Sequence, residues 1–173
     1  MSTQTPVTKE QLFAKLDGLG IAHKTVDHAP AHTVEEARRY RGDLPGGHCK
    51  NLFLKDKKGR LFLVVALEDR AIDVQKLAKQ IGAARLSFGK PELLRQVLGV
   101  EPGSVTPFAL LNDRDQRVQV VLDKEMLDHD ILNYHPLKND GTTALTAADL
   151  QHFIRACGHR PVIVDFAEIE QKG

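Results

Sequence analysis

The stretch Gly46-Gly47-His48-Cys49-Lys50-Asn51-Leu52-Phe53-Leu54 places a glycine loop directly before an apolar strand. The strand continues to Lys55, and a second apolar run extends from Leu61 to Leu67 after the turn Lys57-Lys58-Gly59. Two apolar runs joined by a short glycine-containing turn are typical of a β-hairpin. We therefore expect the apolar residues of this hairpin to lie in the core, with Lys50 and Asn51 at its rim.

Helices and further strands alternate along the rest of the chain. Helix starts are predicted at Thr8, Thr33, Asp73, Pro91 and Thr146. Short strands are predicted at Ala22 to Val26, Arg85 to Phe88, Val118 to Leu122, Ile131 to Tyr134, Thr142 to Leu145 and Val162 to Val164. This order indicates a mixed α/β class, with one domain over residues 1–173 and a mixed, mostly antiparallel sheet surrounded by helices. Residues 1–7 are expected to form a disordered tail.

The composition is that of an ordinary globular protein, because hydrophobic residues make up 42% of the 173 residues and charged residues 27%. The formal net charge of +1 argues against tight non-specific binding of nucleic acid, which needs many phosphate contacts. This net charge is still compatible with a small basic patch on the surface. Aromatic residues make up only 5%, which argues against an aromatic stacking platform for single strands.

The sequence predicts neither a signal peptide nor a membrane span. Its longest apolar stretch, Leu61 to Leu67, is far shorter than the roughly 20 residues that cross a bilayer. Cys49 and Cys157 are the two cysteines, and their spacing is not that of metal ligands. We therefore expect reduced thiols and a cytoplasmic location.

Lys50 is the first candidate functional residue. A lysine where a glycine loop meets a rigid strand can hold a phosphate or a polarised carbonyl as a compact point charge. The alternative is a solvated lysine at the start of an edge strand, which this segment alone does not exclude.

Two later segments carry polar groups in constrained loops. Gly103-Ser104-Val105-Thr106-Pro107 is a candidate holder of an anion or a carbonyl, because glycine lets backbone amides approach a ligand closely. His135-Pro136 biases the histidine toward extended backbone, and hydrogen-bonding groups follow at Asn139, Thr142 and Thr143. Taken singly, a plain helix-to-strand connection and an ordinary turn explain these segments at least as well.

Taken in order, the three segments resemble the motifs of one family. They are Lys50-Asn51-Leu52-Phe53, then Gly103 to Pro107, then His135-Pro136 with Asn139 and Thr142. The family is the aminoacyl-tRNA deacylases related to the bacterial prolyl-tRNA synthetase editing (insertion) domain, and the resemblance is closest to the freestanding alanyl-tRNA(Pro) deacylases. It extends from about Thr8 to the last strand. It implies an editing-domain-like fold and hydrolysis of the ester that joins a wrong amino acid to the 3′ end of a tRNA.

The resemblance also implies roles for single residues. Lys50 would hold the terminal phosphate or the ester end of the substrate, and His135 would bound a pocket that excludes proline. Asn51 would order water or the terminal adenosine, so that Lys50, Asn51 and His135 form the candidate catalytic group. The candidate substrate-binding residues are Gly103, Ser104, Val105, Thr106, Pro107, Asn139 and Thr142. Whether Thr142 or Thr143 fills the last position stays open.

The implied partner is tRNA(Pro), with prolyl-tRNA synthetase as a further candidate partner, and we expect a monomer that needs no cofactor. Basic residues that flank the pocket in sequence are candidate contacts for the tRNA or, equally, ordinary solvated surface. They are Arg38, Arg39, Arg41, Lys55 and Arg85. The loop from Arg41 to Gly47 is a candidate for closure over the substrate.

Other interpretations of the sequence compete with this one. Cys49 lies beside His48, but adjacent strand residues point to opposite faces, which disfavours a nucleophile–base pair. Pro30 breaks the helix that would align His28 and His32 as metal ligands, so no metal is expected. His159 is predicted to be solvated or to cap a helix. Deacylation of seryl- or cysteinyl-tRNA and a non-catalytic module that binds aminoacyl-tRNA or a synthetase remain alternatives.

Overall fold

The central strand of the fold, β2, is Gly47–Asp56. A computed structural model describes residues 5–28 and 46–171. The other strands are β1 (Lys24–Asp27), β3 (Leu61–Leu67), β4 (Leu86–Phe88), β5 (Val118–Asp123), β6 (Ile131–Tyr134), β7 (Gly141–Thr146) and β8 (Val162–Val164). They form one sheet in the order β1-β7-β6-β2-β3-β5-β8, with β4 paired to β2.

The sheet is mixed and mostly antiparallel, as the sequence predicts. The pairs β1·β7, β6·β7, β2·β3 and β2·β4 are antiparallel, whereas β2·β6, β3·β5 and β5·β8 are parallel. The predicted hairpin is confirmed, since Cys49 pairs with Leu67 and Lys55 with Leu61. The glycine loop predicted before this hairpin ends earlier than expected, because Gly47 and His48 already belong to β2 and pair with β6.

Four of the described helices begin at the caps predicted from the sequence. They are α1 (Lys9–Gly18), α2 (Val74–Ile81), α3 (Pro91–Leu98), α4 (Ala147–Ala156) and α5 (Phe166–Gln171). Thr8 caps α1 in a complete capping box with Gln11. Gly82 and Gly99 end α2 and α3 in the left-handed conformation that glycine adopts at little cost. The short α5 is not predicted from the sequence, and the helix predicted from Thr33 lies outside the described residues.

Apolar side chains fill both faces of the sheet because successive strand residues point to opposite sides. On one face Phe53, Leu63 and Val65 pack with residues such as Phe108 and Phe153. On the other face Leu54, Phe62 and Val64 pack with residues such as Leu77 and Phe166. Each such side chain contributes about 1.5–3 kcal/mol when it is fully buried.

Within residues 5–28 and 46–171, the helices are all too short or too polar to cross a bilayer.

A buried carboxylate joins the start of β5 to the end of α4. Asp113 Oδ2 lies 2.9 Å from His159 Nε2, and both side chains are almost fully buried. The Asp113 carboxylate also accepts hydrogen bonds from the backbone amides of Arg117 and Val118. Burial alone raises the pKa of Asp113, but these hydrogen bonds outweigh it and hold the pKa below the ordinary value. The expectation of a solvated or capping His159 is therefore wrong.

Asp113→Asn is expected to lower the free energy of unfolding by about 3 kcal/mol at neutral pH. The substitution removes the buried carboxylate that pairs with His159 and with the amides of Arg117 and Val118. Urea denaturation measures the change. The exposed neighbouring substitution Asp115→Asn is the matched control and is expected to change stability by about 0.5 kcal/mol at most. Equal effects of the two substitutions would contradict this account of Asp113.

The same pair makes stability depend on pH. The pKa of Asp113 is lower in the folded protein than its ordinary value of 3.8. Its stabilisation is therefore complete above that value and is lost as the pH falls through the folded-state pKa. The stability gap between the wild type and Asp113→Asn should narrow below about pH 4, in the region where the unfolded carboxyl titrates. A constant gap throughout this range would contradict the assignment.

Candidate active site

The register of three strands places the main candidate residues on one face of the sheet. His48 of β2 is aligned with Asn133 of β6 in the parallel pair. Tyr134 of β6 is aligned with Thr143 of β7 in the antiparallel pair. Continuing both registers past the last paired residues aligns Lys50, His135 and Thr142. Since strand residues two apart share a face, the side chains of Lys50 and Thr142 lie on the face of His48 and Asn133. His135 directly follows the last residue of β6, at the register position next to them.

The opposite face of the same strands belongs to the core. Cys49 Sγ lies 3.5 Å from the Tyr134 hydroxyl, which in turn lies 3.2 Å from Met126 Sδ. The Thr143 hydroxyl is fully buried and lies 2.7 Å from that of Thr25. Thr142, and not Thr143, therefore shares the face of Lys50.

Lys50 occupies a central strand, flanked by β6 and β3. The alternative of a lysine on an edge strand is therefore wrong. Its half-buried side chain donates a hydrogen bond through Nζ to the backbone carbonyl of Arg70, in the turn after β3. The ammonium thus has a fixed direction in the protein rather than an open solvent shell.

Asn51 is separated from Lys50 by the alternation of the strand. It pairs with Val65 and shares the side of β2 with Cys49 and Phe53, which pack in the first core cluster. Its side-chain oxygen is buried and has no hydrogen-bond partner within residues 5–28 and 46–171. Buried acceptors are nearly always paired, so this oxygen is a candidate acceptor for water or ligand. The sequence motif groups Asn51 with Lys50, but the structure does not place them on one face.

The turn between β6 and β7 fixes the imidazole of His135. Its Nδ1 lies 3.1 Å from the backbone oxygen of Gly141. A carbonyl only accepts hydrogen bonds, so the Nδ1 atom of His135 carries the proton in this contact. Within this turn Leu137 is buried with a φ of 75°, an unusual conformation for leucine that the surrounding packing must hold.

The Gly103–Pro107 loop approaches the same turn. Gly103 is exposed with a φ of 90°, and a Cβ added there would lie 3.9 Å from Asn139 Nδ2. Ser104, Thr106 and Pro107 are buried, and the Thr106 hydroxyl accepts a hydrogen bond from the Phe108 amide at the start of a 3-10 helix. Thr106 thus has a structural side-chain role, and the exposed backbone of this loop is at Gly103.

His28 is a polar residue of this face that the sequence suggests only as a metal ligand. Its Nε2 lies 3.0 Å from the Thr142 hydroxyl, and its backbone amide donates to the Asp140 carbonyl. The pairing of β1 with β7 brings it there, and local spacing carries no signal of that pairing. No cluster of three or more metal-ligating side chains occurs within residues 5–28 and 46–171, and His32 lies outside them.

Cys49 has the chemistry of a core residue and not of a nucleophile. Burial raises the pKa of its thiol to about 12, against a smaller lowering by the hydrogen bond to Tyr134. Reactive cysteines have depressed pKa values and partial exposure.

Two of the predicted basic contacts lie together in a groove of about 710 Å³ beside β4. Lys55 and Arg85 line it together with Lys57 and Lys90, and Phe88 at this groove is 66% exposed. The pairing of β4 with the end of β2 brings these residues together. Arg38, Arg39 and Arg41 lie outside the described residues, as does most of the loop predicted to close. Of that loop, Gly46 lies against Ile131, whose backbone oxygen would be 2.5 Å from a Cβ at this position.

Comparison with known proteins identifies relatives along most of the chain. Residues 28–153 match the family described as the aminoacyl-tRNA editing domain. The chain is 38% identical over 152 residues to the prolyl-tRNA editing protein ProX of Acetoanaerobium sticklandii, covering 87% of this chain and 93% of that protein. It is also 38% identical over 160 residues to the prolyl-tRNA synthetase associated domain-containing protein 1 of Danio rerio, covering 91% of this chain and 87% of that protein.

The fold resembles the crystal structure of a candidate trans-editing enzyme for prolyl tRNA synthetase. The TM-score is 0.67 at 21% sequence identity, and the match covers 91% of this chain and 94% of that chain. At this identity the likeness shows the fold alone.

The thiol of Cys49 is expected to resist modification in the folded protein. With a pKa of about 12, roughly one thiol in 10⁴ is ionised at pH 8. In a Cys157→Ser variant, a colorimetric disulfide reagent should modify Cys49 only as fast as the protein unfolds, and within seconds in denaturant. Modification of the folded variant within seconds would contradict the buried placement of Cys49.

Proposed function

The chain belongs to the aminoacyl-tRNA editing domain family, and we propose that it hydrolyses alanyl-tRNA(Pro) in trans, releasing alanine and free tRNA. It is an aminoacyl-tRNA deacylase, an ester hydrolase whose substrate is a tRNA. The proposed site is best supported by the shared sheet face of Lys50 and Thr142, with His135 directly after the end of the neighbouring strand β6. These residues all lie within the part of the chain that matches the family.

Lys50 supplies the positive charge of the proposed site. An aminoacyl ester is already activated, so a site that hydrolyses it needs positioning and charge stabilisation more than a strong nucleophile. In this proposal the Lys50 ammonium holds the 3′-terminal phosphate or the ester end of the substrate. The negative charge that develops on the ester oxygen during attack by water is then stabilised in place.

The turn between β6 and β7 forms the proposed wall of the aminoacyl pocket. His135 is oriented by the Gly141 carbonyl, and Thr142 by His28, so both present fixed polar groups. The exposed backbone of Gly103, beside Asn139, is proposed to hold the aminoacyl carbonyl and ammonium groups. Asn51 lies on the other side of β2, and its buried unpaired oxygen is proposed to bind a water molecule there without contacting the aminoacyl group.

Alanine is the proposed amino acid because a binding pocket can exclude larger side chains but not smaller ones. A synthetase pocket that fits proline admits the smaller alanine, and the missing methylenes provide only about 1–3 kcal/mol of discrimination. A second, smaller pocket removes alanine and excludes proline. In this proposal His135 limits the size of the amino acid that the pocket accepts. Association with prolyl-tRNA synthetase stays a prediction.

Deacylation of tRNA(Pro) charged with alanine, serine, cysteine or proline tests the proposed substrate. The protein is expected to release alanine rapidly and to leave proline attached. Rapid loss of serine or cysteine with slow loss of alanine would show a deacylase with a different amino-acid specificity. Stable esters in all four cases, together with measurable tRNA binding, would favour the non-catalytic module.

Lys50→Ala is expected to lower the deacylation rate by roughly 10²–10³, by analogy with the loss of one oxyanion-stabilising donor. The substitution removes the cation but leaves the strand and its pairing intact. Single-turnover kinetics with saturating enzyme measure the rate. Lys79→Ala removes an exposed lysine of α2 and serves as the control, with an unchanged rate. A decrease of less than about threefold in Lys50→Ala would remove the role given to Lys50.

The groove beside β4 is proposed to bind tRNA phosphates through Lys55 and Arg85. Removing one basic side chain that neutralises a phosphate should reduce the slope of log affinity against log salt by about 0.7–0.9. Arg85→Ala is therefore expected to weaken tRNA binding and to flatten its salt dependence, with little change in the rate at saturating enzyme. Lys79→Ala is again the control. If Arg85→Ala leaves the slope of log affinity against log salt unchanged, Arg85 does not contact a tRNA phosphate.

A further inference from the structure

We infer that Arg70 is a positioning residue for Lys50, held in place by an ion-pair network with Asp123 and Glu125. The inference rests on the proposed function, because it gives Arg70 a role only through the ammonium of Lys50. It extends the site from the strand face into the turn after β3.

The turn after β3 is tied to two neighbouring strands. The Glu68 amide donates to the His48 carbonyl of β2, and the Arg70 amide donates to the Leu67 carbonyl. The Leu67 amide lies 3.2 Å from Asp123 Oδ2 at the end of β5. The Arg70 carbonyl, which accepts the hydrogen bond from Lys50 Nζ, lies at the end of this tied segment.

The side chain of Arg70 pairs with two carboxylates, those of Asp123 and Glu125. It is 10% exposed, its Nε lies 3.8 Å from Asp123 Oδ2, and its guanidinium also pairs with the Glu125 carboxylate. Asp123 is fully buried and also accepts a hydrogen bond from the Glu125 amide, at 3.1 Å. The two carboxylates attract the guanidinium from the β5 side, and this attraction restricts the position of the Arg70 side chain.

This geometry separates two properties of Arg70. Its side chain pairs with carboxylates on the β5 side, while its backbone oxygen faces the Lys50 ammonium. Weakening the side-chain network should therefore loosen the Arg70 carbonyl, and with it the direction of the Lys50 ammonium, while the Lys50 side chain itself stays in place. Small displacements of a positioned group are costly in catalysis.

Glu125→Gln is the most informative substitution, because the Glu125 side chain is 48% exposed and its replacement leaves no isolated charge in the core. Glu125→Gln is expected to lower the single-turnover deacylation rate about tenfold, with unchanged tRNA affinity. Arg70→Gln should cost more, and Arg70→Lys should recover part of that decrease. Glu101→Gln breaks the exposed pair with Arg95 and is the matched control, with an unchanged rate.

A double-mutant cycle with Lys50→Ala distinguishes positioning from general stability. If the network acts through Lys50, then Glu125→Gln has less than a twofold effect on the residual rate of Lys50→Ala. The same fractional decrease in both backgrounds, or an unchanged rate in Glu125→Gln alone, would overturn the inference and leave the proposed function intact. A wild-type rate in Lys50→Ala would instead remove the role of Lys50 itself. Circular dichroism melting confirms that each variant is folded.

Discussion

The pairing of β2 with β6 on one side and β3 on the other is the constraint on which the rest of the site depends. The pairing with β6 aligns the start of β2 with the strand that leads into His135. The pairing with β3 holds the strand in the middle of the sheet and delivers the turn whose carbonyl meets Lys50. A slip of one residue in either register would move Lys50 to the core face and Cys49 to the site face.

The two faces created by that register have opposite chemistry. On the core side, Cys49 contacts the Tyr134 hydroxyl, and the Thr143 hydroxyl pairs with that of Thr25. Burial raises the pKa of the Cys49 thiol to about 12 and that of the Tyr134 hydroxyl well above its ordinary value. The site side carries a cation and an oriented imidazole. Such a face suits an activated ester, for which fixed charge and geometry matter more than a covalent nucleophile.

Local signals in the sequence predicted most of the fold. The hairpin from Lys50 to Leu67 and the caps at Thr8 and Asp73 depend on residues close in sequence, and the structure confirms them. Local signals did not predict the features that depend on residues far apart in the chain. One is the contact of His28 with Thr142, and another is the buried pair of His159 and Asp113. The three motifs were recognised as a set, but only the register shows that Asn51 faces away from Lys50.

In the proposed site, Lys50, His135 and Thr142 form one surface that binds the aminoacyl end of tRNA. The most direct test is a structure, or an NMR titration of assigned amides, with alanine joined to the terminal adenosine through a stable amide. We expect the analogue to lie on the face of His48 and Asn133, with the largest chemical-shift changes at Lys50, His135 and Gly103. Binding confined to the basic groove at Arg85, with no change at these three residues, would contradict it.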